Sequence, residues 1–167
     1  MAKGPALPDI SSLLAPKDWG TILFYGAASE PLTDTWTVTV PVVPFSADDE
    51  AQPSTFRSGV AGPDIVETSF QFDFIVFDGA LSVAELEGRS FTFPVSPENN
   101  YVDASIYLCH RHNPIDVTKI HFGVSDGDTI PASIECHVDF GFEAVGAADF
   151  DTTITTRLRS QVWESRQ

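Results

Sequence analysis

Alternation with a period of two constrains this chain more than any other feature. Trp36, Val38, Val40 and Val42 take every second place in one stretch, with Thr35, Thr37 and Thr39 between them. Phe70, Phe72, Phe74 and Val76 do the same in a second, Val102, Ala104, Ile106 and Leu108 in a third, and Ile134, Cys136, Val138, Phe140 and Phe142 in a fourth. Successive side chains of an extended strand point to opposite faces, so each stretch reads as a strand with one face in the core. The members of each set are expected to be buried.

Shorter signals fill the spaces between these four. Residues 21–25 form an apolar strand that stops at Gly26, and 91–93 form one closed by Pro94. Residues 117–124 place Thr118, Ile120, Phe122 and Val124 on one face, and Asp126-Gly127 is the hairpin turn leading into the fourth long strand. A last strand over 149–159 directs Phe150, Ile154 and Leu158 inward. His112-Asn113-Pro114 reads as a turn, and Pro41 marks its strand as an edge, since proline has no N–H for a second neighbour. The one helical signal is Ser82-Val83-Ala84-Glu85, a capping box that starts a helix of one or two turns ended by Gly88. The expected fold is mostly β: a single-domain antiparallel β-sandwich or flattened barrel of about eight strands with one short helix.

Eight of the 12 prolines precede residue 64, so the first third differs in texture from the rest. Residues 1–20 are expected as an extended proline-rich arm, 21–160 as the β domain and 161–167 as a C-terminal tail. Residues 44–63 carry Asp48-Asp49-Glu50 and no periodicity, which reads as a long loop. The length of 167 residues is enough for one domain with a core of its own.

Charge limits the partners. Nine Lys and Arg stand against 24 Asp and Glu, a formal charge of −15. Phosphate-backbone partners require clustered cations, so no nucleic acid is expected, and an anionic membrane surface is disfavoured by the same repulsion. No apolar run approaches the roughly 20 residues that span a bilayer. The opening residues break at Pro5 and Pro8 without an apolar stretch, so the expectation is a cytoplasmic chain. In that compartment Cys109 and Cys136, the only two cysteines, are expected as free thiols.

Few motifs carry chemistry. His110 and His112, at i and i+2, are the candidate metal ligands, because alternate residues of an extended segment present two imidazoles to one divalent ion. No glutamate follows them in Ile115-Asp116-Val117-Thr118. His121 and His137 lie opposite in parity to their apolar neighbours and read as outer-face residues. Phosphate-binding glycine loops and the usual hydrolase signatures are missing from the sequence.

The distinctive surface feature is acidity. Asp48, Asp49 and Glu50 in the long loop, and Glu135, Asp139 and Glu143 along one outer strand face, are the candidate partner-binding residues, suited to steering a basic protein. Arg157, Arg159 and Arg166, with Trp163, make a contrasting basic and aromatic segment suited to docking on an acidic neighbour. The expected function is binding without catalysis or cofactor, as an acidic inhibitor or immunity-type protein or as an assembly subunit, with homo-oligomerisation as one form of contact. The alternative is a metal-dependent small β-barrel enzyme built on His110 and His112.

Overall fold

A computed structural model describes residues 6–26, 33–47, 65–108 and 110–161. Ten strands are present among them: β1 (Trp19–Tyr25), β2 (Thr35–Pro41), β3 (Phe45–Ser46), β4 (Ile65–Val66), β5 (Ser69–Ile75), β6 (Ser90–Thr92), β7 (Asp103–Leu108), β8 (Arg111–Phe122), β9 (Thr129–Val138) and β10 (Phe150–Gln161). Seven of them close into a barrel in the order β8-β7-β5-β2-β1-β10-β9, with β9 returning to β8. The short β6 adds to the far half of β8, and β3 pairs with β4 as a separate ribbon. The mostly-β barrel with little helix is thus present.

An odd ring cannot be antiparallel throughout, because directions that alternate around seven strands meet one pair pointing the same way. That pair is β1 and β10, joined in parallel from Trp19↔Arg157 to Leu23↔Gln161, while every other neighbour in the ring is antiparallel. A barrel of this size is just wide enough to be filled by its own side chains. Ile22, Val38, Phe72, Ile106, Ile120, Phe122, Ile134 and Leu158 all meet inside it, fully buried.

Both ends are stoppered. At one, Trp36 and Phe122 pack around Phe77, whose ring centroid lies 4.7 Å from that of Phe91 and 5.2 Å from that of Phe122. The indole N–H of Trp36 donates to the Ala80 carbonyl at 3.2 Å, so its polar atom is satisfied while the ring is buried. At the other end Ile10 and Leu14 are buried, and the Ala148 amide donates to the Pro8 carbonyl. From residue 8 onward, then, the proline-rich arm packs onto the barrel, and the first strand starts at Trp19, two residues earlier than the sequence signal.

The alternating sets of β2 and β7 are buried as expected, and the turn at Asp126-Gly127 has Gly127 at φ +63°. The 83–86 segment carries the capping box but is a single 3₁₀ turn, with Gly88 at φ +69° after it. Other expectations are corrected. Phe74 has φ +54° and is 50% exposed, because β5 bulges against β2: the four residues from Phe72 to Ile75 answer the three from Val38 to Trp36, and Ile75 takes the core position instead. A second bulge, between Val117 and Lys119 on β8, turns Thr118 outward and brings Val117 inward with Ile120 and Phe122. Val124 lies beyond that strand and is exposed.

Phe142 is likewise exposed, because β9 ends at Val138. The Asp139 carboxylate accepts the Phe142 amide at 2.8 Å, and Asp149 accepts those of Phe140 and Gly141, which bends the chain away. His112-Asn113-Pro114 does not turn the chain: Leu108 pairs with Arg111, and these residues lie within β8. Buried Asn113 fits there because its side-chain amide donates to the Ile106 and Arg111 carbonyls. Pro41 is the last residue of β2, an interior strand of the ring, and its carbonyl accepts the Lys17 amide.

Candidate functional site

With the interior filled, side chains able to meet another molecule lie on the outer wall. The parallel seam builds the most distinctive place there. Gly20, Ile22 and Leu158 face inward, so by parity Trp19, Thr21, Arg157, Arg159 and Gln161 face outward. Together with Thr129 of β9, which pairs with Arg159, they border a cleft of about 720 Å³. Asp18 and Gly20 complete its border.

Local bonds fix the seam. The Arg157 amide donates to the Asp18 carbonyl at 3.0 Å, and the Thr156 hydroxyl donates to the Lys17 carbonyl at 3.2 Å. Residues 17–19 therefore lie flat against β10. Gly20 allows this closeness, since a Cβ there would come within 2.5 Å of the Thr39 carbonyl oxygen and 3.0 Å of Leu158.

The cleft is less acidic than the chain as a whole, since Arg157 and Arg159 line it with Asp18, and Asp128 stands beside Arg159. Trp19 is 51% exposed, with the Lys17 ammonium 5.3 Å from its ring centroid. Arg157 donates to the neutral Thr129 hydroxyl at 3.3 Å, and Arg159 stands 3.7 Å from the Asp128 carboxylate, both side chains largely in solvent. Of the chain's nine cations, Lys17 thus lies over this indole, Arg157 pairs with Trp19 across the seam and Arg159 stands two residues on. Arg157 and Arg159 were legible in sequence as a basic segment. Trp19 was not, because it is brought beside them only by the pairing of the first and last strands; its opposite parity to Ile22 was the one available sign.

The expected acidic face is arranged differently. Glu135 faces Lys119 across β8 and β9 at 3.5 Å, Glu143 stands 3.9 Å from Arg111, and Asp139 holds the turn after β9. Only Glu135 of the three is on a strand, so they do not form one continuous strand face. Asp48, Asp49 and Glu50 lie outside the described residues, as do Cys109, Trp163 and Arg166.

The histidines are dispersed. His110 stands between β7 and β8 with φ +60°, so the extended geometry that would align it with His112 is broken there. His112 pairs its Nε2 with the Ser105 hydroxyl at 2.8 Å, His121 its Nδ1 with Ser90 at 2.9 Å, and His137 its Nδ1 with Asp151 at 2.8 Å. Among the described residues no three His, Cys, Asp or Glu side chains gather as a metal-binding group. Cys136 is a free, buried thiol whose pKa is pushed up to about 12 by burial and then by the Asp151 charge. At neutral pH it is a small apolar filler. Among the described residues no helix is long and apolar enough to cross a membrane. No protein family, curated protein or solved structure matches the chain.

Proposed function

We propose that this protein is a non-enzymatic binding protein of the assembly type, which contacts a protein partner through the outer wall of its barrel at the β1–β10 seam. One observation carries the reading: a half-exposed tryptophan with Lys17 over its ring and Arg157 opposite it, beside Arg159 in one cleft, on a chain whose formal charge is −15. Tryptophan and arginine are the residues that most often dominate the energy of protein interfaces. The acidic remainder of the surface acts at longer range and selects which partners approach.

Capture from native lysate with three forms of the protein tests this. The double variant Arg157→Glu/Arg159→Glu is expected to lose the partner held by the unmodified chain, while Glu135→Lys/Glu143→Lys keeps it. The reverse pattern would move the contact to the acidic side and favour a basic partner. Association with the captured protein should slow as salt rises from 0.1 M to 1 M, where the Debye length falls from about 10 Å to about 3 Å.

A further inference from the structure

We infer that the seam cleft docks an extended segment of a partner protein with carboxylates on alternate residues and an apolar side chain beside them. This rests on the reading of the seam as a partner-binding wall and names what that wall accepts. Arg157 and Arg159 project from the same face of β10, two residues and therefore about 6.7 Å apart along the strand. An extended chain has the same two-residue repeat, so acids at alternate positions meet the two guanidinium groups in register.

Arg157 is the stronger anchor, since among the described residues its guanidinium bonds a neutral hydroxyl across the strand, Thr129, and a carboxylate is the better acceptor for it. Arg159 is shared with Asp128 at 3.7 Å in a solvent-exposed pair, which an incoming carboxylate displaces at small cost. Asp18 also borders the cleft, so the segment's charge is placed toward the two arginines. Trp19, directly opposite Arg157 in the parallel register, offers its ring to the apolar residue. Whole-molecule charge selects among anions: at −15 the chain repels a dense phosphate polyanion and a second copy of itself, whereas a short acidic segment carries few charges.

The probes are two synthetic peptides of identical composition, acetylated and amidated: Leu-Glu-Thr-Glu-Thr-Glu-Leu, with alternate acids, and Glu-Thr-Thr-Glu-Leu-Leu-Glu, with acids three apart. Each is titrated into the full chain at low salt with tryptophan fluorescence as the readout and Trp19→Phe as the control for signal origin. The alternating peptide should bind at least about tenfold more tightly than its isomer, a difference of about 1.4 kcal/mol. Arg157→Glu/Arg159→Glu should remove that binding while leaving the thermal melt unchanged, because both side chains are outside the core.

Equal binding of the two peptides, or binding of neither, would overturn the spacing argument. The assembly reading still stands in that case if the double variant loses its captured partner. Undiminished peptide binding by the double variant would overturn the docking of the segment in this cleft. A concentration-dependent dimer in sedimentation that the double variant lacks would assign the cleft to a second copy and overturn the choice of occupant.

Discussion

The wall formed by β8 and β9 and the wall at the β1–β10 seam use the same cross-strand geometry to opposite effect. On the first, Lys119 stands directly across from Glu135, and on its far side His137 stands across from Asp151. Each of these side chains meets its partner directly across the ladder. At the seam, Arg157 stands across from Trp19 and Arg159 across from Thr21. Parity alone sends all of these side chains outward. The residue that register places opposite a cation sets whether it is paired across the ladder, as Lys119 is, or must reach to a turn, as Arg159 does to Asp128.

The two regions also differ behind the wall, and the largest expected effect probes that. Phe140, just past the end of β9, is fully buried, while Phe142, two residues on, is 73% exposed. Phe140→Ala should cost on the order of 3–5 kcal/mol in urea denaturation, and Phe142→Ala should stay within about 0.5 kcal/mol of the unmodified protein. Comparable losses at both positions would mean that the strand continues to Phe142 after all.

Behind the seam there is no large side chain at Gly20, only the close approach of β2 and β10. Gly20→Ala forces a methyl against the Thr39 carbonyl and should destabilise by about 1–3 kcal/mol. The same melts check it, and a neutral result would show that β1 and β2 can part enough to admit a Cβ placed 2.5 Å from the Thr39 oxygen.

The smallest effect sharpens the electrostatic contrast. A double-mutant cycle between Lys119 and Glu135 should give a coupling of about 0.2–1 kcal/mol, since both groups are half in solvent. The cycle between Arg157 and Thr21, outward residues of the seam that share no hydrogen bond, should give none beyond error. A larger coupling at the seam than across β8 and β9 would reverse the comparison.

Strand identity was legible wherever alternation ran unbroken, as in Trp36 to Val42 and Val102 to Leu108, because period two leaves little choice of face. It failed where one extra residue entered a strand. Neither Phe74 nor Thr118 looks unusual in sequence; the bulges that turn them outward are set by the register of the neighbouring strand. Asn113 and Pro114 were misleading because turn-forming residues are equally serviceable in a strand when a side-chain amide finds carbonyls to bond. The site was half legible. Two arginines at i and i+2 show in any reading of the sequence, but the indole that gives them a ligand-like setting lies well over a hundred residues earlier in the chain.

That last pairing has a temporal consequence. Residues 19–23 find their partners in 157–161, so the ring cannot shut until residue 161 has been made. Up to that moment a growing chain holds β1 and β9 with one side each unsatisfied, and loop closure over so long a separation is slow. Two nascent copies in this condition present matching open edges to each other, the circumstance under which chains exchange strands or aggregate. The yield of this protein on refolding should therefore depend on dilution, governed by how quickly its final strand arrives as a latch.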